Sequence, residues 1–161
     1  MNGLLRVLAH PRLVLVAQVA VALVFLVAAL AKIGDAATFA RQIHYFRLLP
    51  PPLENLMAMT LPWVELTAAL AIVFRIRPRA GSVVIAGLMG LFVFVVAAAL
   101  ARGLDIECGC FGTADASRVG TTKLLENVGL TALALIASLR PAERVAAAEK
   151  SQLSTPDRVA V

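Results

Sequence analysis

The sequence predicts an all-α integral membrane protein that forms a four-helix bundle. Three observations support this prediction. Apolar residues make up 60% of the 161-residue chain, whereas a soluble domain of this size has about 45–50%. Charged residues make up only 16%, and the mean hydropathy is +0.87. Several apolar runs reach the roughly 17–25 residues that a membrane-crossing helix needs. This excess of apolar residues is more than a soluble core buries, which indicates lipid as the surrounding solvent.

The predicted spans are four apolar segments, which cover residues 13–31, 56–74, 80–101 and 121–139. The fourth is the least obvious, because its continuous apolar part runs only from residue 128 to residue 139. Its helix must therefore begin near Thr121 or Thr122, which are residue types that suit an N-cap. The chain then divides into a membrane domain, residues 1–140, and a polar tail, residues 141–161, that we expect in the cytoplasm.

The connection between the first two spans is too rich in apolar and aromatic residues for a simple linker. Residues 38–49 mix such side chains with arginines, a pattern that predicts a short helix lying at the membrane interface. The three prolines at 50–52 are expected to end this helix, because proline lacks a backbone donor and restricts the residue before it. His44 and Tyr45 are interpreted as interface anchors, with a chemical role as the alternative.

The distribution of arginine predicts the orientation. The link between the second and third spans, Arg75 to Arg79, holds three arginines in five residues, and both terminal tails are also basic. The two opposite loops are longer and mix both signs of charge. The positive-inside rule therefore predicts a multi-pass protein of a bacterial inner membrane, with both termini cytoplasmic. Since the net charge of +5 comes from these orienting arginines, it does not indicate a nucleic-acid partner.

The two cysteines of the chain are Cys108 and Cys110, separated only by Gly109. The predicted orientation puts them in an outer, periplasmic loop, where disulfides form and persist. A disulfide across one residue closes a very small ring, which Gly109 permits through its backbone freedom. Strain in that ring favours a pair that exchanges readily. A permanent staple is less favoured, because so small a loop restrains little chain entropy.

Two other functions remain open for the cysteine pair. Two thiolates suit a soft metal such as Cu(I), so a metal-binding or transport protein is one alternative. A second alternative is a membrane subunit that recruits a thioredoxin-like protein without redox chemistry of its own. A zinc site is disfavoured, since His44 is the only histidine on the same side and structural zinc needs four ligands. Glu107 should disfavour the neighbouring Cys108 thiolate, so Arg102 is one candidate for activating the pair.

The second predicted site centres on Glu65, the one charge inside the second span. A carboxylate at the centre of a membrane helix costs about 2.5–3.5 kcal/mol and normally faces the bundle with a partner. Lys32 is the nearest candidate partner; Glu126 and Asn127 are others. The pair is either a structural ion pair or a proton acceptor coupled to thiol chemistry or quinone binding. Trp63 is either an interface anchor or a ring packed on a quinone.

The motif Cys-Gly-Cys-Phe-Gly within residues 99–112 resembles the MauE family of methylamine utilisation proteins, in the wider DoxX-like group. Residues 61–66, Leu-Pro-Trp-Val-Glu-Leu, residues 48–50 and the region of Lys32 also match, so the resemblance covers all but the two tails. It implies a membrane protein needed to mature the disulfide-rich β (light) subunit of methylamine dehydrogenase. It also implies a periplasmic, MauD-like thioredoxin-like partner.

Carried over by position, the resemblance makes Cys108 and Cys110 the exchanging pair, and it includes Trp63 and Glu65 without assigning their roles. The expected architecture is similar to that of quinone-linked disulfide generators such as DsbB. Those proteins carry two cysteine pairs and this chain carries one. It would therefore either pass electrons to a quinone, as a thiol–disulfide oxidoreductase, or rely on the second pair of its partner. Gly109, Arg102 and Lys32 complete the predicted supporting residues.

Overall fold

A computed structural model of the protein describes residues 8–104 and 120–139. In these two ranges the chain forms helices and no strand, which confirms the all-α class. The helices are α1 (Pro11–Gly34), α2 (Ala36–Tyr45), α3 (Pro51–Val73), α4 (Pro78–Ala101) and α5 (Thr121–Ser138). Cys108, Gly109 and Cys110 lie outside the described residues, as do most of the two tails.

Three of these helices, α1, α3 and α4, are long and apolar enough to cross a membrane. A 24-residue helix such as α1 is about 36 Å long at 1.5 Å per residue, against a hydrocarbon thickness of about 30 Å. Their outer faces carry large apolar side chains that are more than half exposed, among them Val16, Val27, Met59 and Phe94. An apolar surface of this extent marks contact with lipid or protein rather than water. The protein is therefore of the multi-pass membrane class.

The four long helices pack side by side, and each has two neighbours. Helix α1 contacts α3 and α5, and α4 contacts the same two helices, while α1 and α4 scarcely touch. One core cluster joins all four, with Val21 from α1, Ala69 from α3, Ile85 from α4 and Ala134 from α5. Helix α2 is packed mainly on α3. The arrangement leaves α2 beside the last turns of α1, where the predicted site lies.

Hydrogen bonds tie the helices at both ends. At one end the Arg102 guanidinium, just beyond α4, donates through Nη1 to the Phe46 carbonyl oxygen at 3.0 Å. We call this the α2 end. At the other end Arg79 donates through Nε to the Ser138 carbonyl oxygen, also at 3.0 Å. Since α4 finishes and α5 begins at the α2 end, the segment that carries the cysteines leaves and rejoins the described structure there.

The start of α3 corrects the sequence prediction about the prolines. They were expected to end the preceding helix, and the second span was expected to begin at residue 56. Instead α2 ends at Tyr45, and α3 begins at Pro51, with Pro50 as its N-cap. Proline is favourable in a first helical turn, because the N–H that it lacks has no intrahelical partner there.

Two helix starts differ from prediction at the capping residues. Thr121 and Thr122 do not cap α5: the N-cap is Gly120, and the threonines belong to the first turn. Helix α2 begins before residue 38, because Asp35 caps it by accepting a hydrogen bond at Oδ1 from the Thr38 backbone N–H at 3.0 Å. That N–H holds the pKa of the Asp35 carboxyl below its usual value.

Candidate functional site

The candidate site is built around a buried ion pair between α1 and α3. The Lys32 Nζ atom lies 2.7 Å from Oε1 and 2.8 Å from Oε2 of Glu65. The two side chains are only 2% and 4% exposed. The predicted inward orientation of Glu65 and its predicted pairing with Lys32 are therefore confirmed. Both carboxylate oxygens face the ammonium group, which is the geometry that a desolvated pair needs.

Helix α2 covers this pair. Lys32 lies in the last turn of α1, and the chain then breaks at Asp35 and re-enters a helix that packs on α3. This places the ring of Phe39 beside the ammonium group, with 5.2 Å between Nζ and the ring centroid. A cation at this distance is attracted by the ring quadrupole. The pair is thus held by three helices and kept from water by the shortest of them.

An apolar cavity adjoins the pair on the side of α4. It lies between α2, the segment that joins α2 to α3, α3 and α4, and the centre of a water-sized molecule can occupy about 90 Å³ of it. Phe39 and Phe46 line it from one side and Phe92 from α4, while Glu65 borders it near the ion pair. The Phe46 and Phe92 rings meet edge to face, with centroids 6.4 Å apart. The cavity therefore has aromatic walls and a charged pair at its border.

One polar side chain among these apolar walls has an oxygen that no described residue pairs with. Gln42 lines the cavity from α2 and is 3% exposed. Within the described part of the chain, no hydrogen bond reaches its Oε1 atom. Buried amide oxygens are rarely left unpaired, because the lost hydration costs about 1–3 kcal/mol. Gln42 Oε1 therefore calls for a partner that residues 8–104 and 120–139 do not provide.

The remaining predicted residues lie elsewhere. Trp63 is 57% exposed on α3 and does not line the cavity. Its ring therefore does not pack on a molecule bound in this cavity. Arg102, predicted as a candidate for activating the cysteine pair, donates to the Phe46 carbonyl oxygen, and the cysteines lie outside the described residues. Glu126, considered as a partner for Glu65, instead accepts from Lys123 at 2.7 Å.

His44 joins two elements at the α2 end. Its Nδ1 atom lies 2.9 Å from Oε2 of Glu54, in the first turn of α3. The Glu54 side chain is 8% exposed, while that of His44 is 63% exposed. Tyr45 is also well exposed. Over residues 8–104 and 120–139, no group of three His, Cys, Asp or Glu side chains is close enough to hold a metal ion.

Sequence reasoning did not single out Gln42 or the phenylalanines around it. A signal was present, because Phe39, Gln42 and Phe46 are spaced by three and four residues and so share one face of a helix. That face is apolar except for one amide. A polar residue placed in the buried face of a short amphipathic helix is a candidate for ligand contact, and the pattern could have been noticed on that basis.

These features define a helical multi-pass membrane protein with a buried ion pair beside an apolar, aromatic-walled cavity. Comparison with known families identifies it further. The model of the family described as methylamine utilisation protein MauE matches residues 10–140, and the chain belongs to this family. The resemblance that was noted from the sequence motifs is thereby confirmed.

Curated relatives support the same assignment. The chain is 35% identical over 131 residues to the methylamine utilization protein MauE of Paracoccus denitrificans, covering 80% of this chain and 69% of that protein. It is 33% identical over 125 residues to the protein of that name from Paracoccus versutus, covering 76% and 67%. For the MauE of Methylophilus methylotrophus the identity is 32% over 135 residues, covering 83% and 71%. No solved structure matches the chain.

Proposed function

We propose that this protein acts in methylamine utilisation, as a membrane protein that supports thiol–disulfide exchange in periplasmic clients. The observation that carries the proposal is the family match, whose range, residues 10–140, includes Cys108-Gly109-Cys110. Relatives that the chain matches are named for methylamine utilization. The proposed client is a disulfide-rich protein such as the methylamine dehydrogenase β subunit. The proposed partner is a thioredoxin-like, MauD-like periplasmic protein.

The proposed membrane arrangement has four spans, with α5 crossing beside α1 and α4. At 18 residues, α5 is long enough for a span, since the usual range begins at about 17. Arg75 and Arg77 lie between α3 and α4, and Arg79 lies in the first turn of α4; all three are exposed, at the end opposite the α2 end. The positive-inside rule places that end in the cytoplasm. The α2 end, where the cysteine-bearing segment attaches, then faces the periplasm.

Chain length keeps the cysteines near the α2 end. Leu104, the last described residue before them, packs on the apolar cluster that contains Phe46 and Val96. Cys108 follows four residues later, and four extended residues span at most about 14 Å. This limit supports the proposal that the pair exchanges with its periplasmic partner at the α2 end.

The exchange that we propose is balanced without any further oxidant. A thiolate of one protein attacks a disulfide sulfur of the other, forming a mixed disulfide and releasing one thiolate. The second thiolate of the attacking pair then attacks the sulfur of its neighbouring cysteine. This breaks the mixed disulfide and releases the second thiolate of the other protein. One disulfide forms as the other breaks, and two electrons pass between the proteins. Cys110 is the proposed attacking residue of the reduced pair, because Cys108 is adjacent to the acidic Glu107 and ionises less readily.

Replacement of a single cysteine should trap the partner. In Cys108→Ala or Cys110→Ala, one variant keeps the attacking thiol but lacks the thiol that resolves the mixed disulfide, so the covalent complex should accumulate. Cells expressing each variant are quenched with acid and analysed on non-reducing gels. We expect a reducible adduct with a thioredoxin-like protein, and maturation of the disulfide-containing client should fall to background.

The double variant, with both cysteines replaced by alanine, is the matched control and should form no adduct. The proposal fails if neither single variant traps a partner while both still support client maturation. Stoichiometric copper that is lost with both cysteines would then indicate the soft-metal alternative. Full function of the double variant would indicate a membrane protein that only recruits its partner.

The orientation is tested with a membrane-impermeant thiol reagent on intact spheroplasts after reduction. The native cysteines should be labelled from outside, because the loop that carries them is proposed to be periplasmic. In the double-alanine background, a cysteine introduced by Ile76→Cys should react only after permeabilisation. Ile76 is 75% exposed, so burial does not protect it. The reverse labelling pattern would place the pair in a reducing compartment and contradict the proposed chemistry.

A further inference from the structure

The apolar cavity beside the buried ion pair has room for a small molecule. The centre of a water-sized molecule can occupy about 90 Å³ of it, several times the roughly 10–15 Å³ that a single water needs. Small-molecule sites are mostly apolar, with a few polar groups that fix the orientation of the ligand. Here the aromatic walls come from Phe39, Phe46 and Phe92, and polar groups come from Gln42 and Glu65.

Gln42 is the polar group that is free to serve a ligand. Both oxygens of Glu65 are engaged by Lys32, whereas Oε1 of Gln42 is buried with no partner in the described residues. A half-turn about the Cγ–Cδ bond exchanges the amide oxygen and nitrogen. The same side chain can therefore accept a hydrogen bond from a hydroxyl group or donate one to a carbonyl group.

The cavity opens toward the apolar outer surface. Leu48 and Leu91, which line it, are 43% and 50% exposed. Phe94, farther along α4, is also exposed. In a multi-pass protein this surface faces lipid. A molecule that enters here must dissolve in the bilayer. A charged head group would be unfavourable, because the one charged side chain of the lining, Glu65, is already paired with Lys32.

We propose that the cavity binds the head ring of a lipid-soluble quinone or its quinol, with Gln42 as the recognition residue. A quinol hydroxyl donates to Oε1 of Gln42, and after the amide turns, a quinone carbonyl accepts from Nε2. The ring packs against the aromatic walls, where offset and edge-to-face contacts are favourable. The hydrophobic tail leaves through the mouth between Leu48 and Leu91. This inference goes beyond the proposed thiol exchange, and the binding itself needs neither cysteine.

The test is binding of decylubiquinol and decylubiquinone to the purified full-length protein, freed of endogenous quinone and titrated calorimetrically in detergent. We expect saturable binding to a single site. In Gln42→Leu the affinity should fall about two- to tenfold, which is the value of one neutral hydrogen bond. The thermal midpoint of that variant should stay the same or rise, because an unpaired buried oxygen is removed. A residue needed only for folding would instead lower it.

Arg41→Gln is the matched control on α2, since Arg41 is exposed and does not line the cavity; its affinity should be unchanged. Leu88→Trp fills the cavity from α4 and should abolish binding. Decylbenzene, which has a ring and tail but no oxygen, should bind the parent protein more weakly than decylubiquinol. The double-alanine cysteine variant should bind quinol normally, so failure of thiol exchange and failure of this site give different results.

Three results would overturn the proposal. The first is the absence of saturable quinol or quinone binding. The second is decylbenzene binding as tightly as decylubiquinol, which would mean that any acyl chain fills the groove. The third is unchanged affinity in both Gln42→Leu and Leu88→Trp.

Discussion

Removing either partner of the buried ion pair should destabilise the protein strongly. In Glu65→Leu the Lys32 amino group, 2% exposed, is left in an apolar site without a carboxylate partner. Truncation of one member of a buried pair typically costs about 3–5 kcal/mol of unfolding free energy. Lys32→Met should have an effect of similar size, since it strands the Glu65 carboxylate. Equilibrium unfolding of the purified protein in detergent measures both.

The double variant Lys32→Met/Glu65→Leu should recover much of this loss, because well-packed apolar residues often replace a buried pair at little cost. A double-mutant cycle then gives the coupling energy of the pair. Glu126→Gln is the control: its pair with Lys123 is also 2.7 Å long, but the Glu126 side chain is 49% exposed. Exposed pairs of this kind contribute about 0.2–1 kcal/mol. Single variants as stable as the parent would contradict the expectation.

The same double variant separates the two roles that the sequence left open for Glu65. The structure supports a structural pair, because both carboxylate oxygens contact one ammonium group and Phe39 covers it. We therefore expect the double variant to keep thiol exchange with the partner. Loss of exchange in a variant that is folded and stable would instead mean that Glu65 handles protons.

The ion pair could be predicted from sequence because lipid leaves few choices. A charge within an apolar span must find a partner, and Lys32 was the cation nearest to Glu65 across neighbouring spans. The same constraint allowed the long helices to be predicted from the sequence, since a span needs a continuous apolar run. These predictions depend on the constraints that lipid imposes on charges and backbone, and not on details of side-chain packing.

The cavity could not be predicted, because it depends on where α2 lies relative to α3 and α4. The amphipathic pattern of residues 38–49 indicates an apolar face but not which surface that face covers. The prolines at 50–52 were ambiguous for a related reason: proline ends one helix and starts the next with equal ease. Only the packed structure shows Gln42 turned inward next to Phe39 and Phe46.

Among the glycines described, Gly81 should be the least tolerant of a larger side chain. It is the one at which a neighbouring helix, α3, comes too close to leave room for a Cβ atom. A Cβ atom at Gly81 would lie 2.5 Å from the Ala68 carbonyl oxygen and 2.8 Å from Cγ1 of Ile72. The first of these atoms belongs to the backbone of α3, so the added methyl group can be accommodated only by moving one helix. Overpacking of this kind typically costs about 1–3 kcal/mol.

Gly81→Ala should therefore lower the unfolding free energy, although alanine is by itself the better helix former. Gly87 provides the matched control on the same helix, since a Cβ atom there meets nothing within 4 Å. Gly87→Ala should raise stability by about 0.5–1 kcal/mol through helix propensity alone. Both variants are measured by equilibrium unfolding in the same detergent, with opposite signs expected. Equal stability of the two variants would mean that α3 and α4 can move apart at Gly81 without cost.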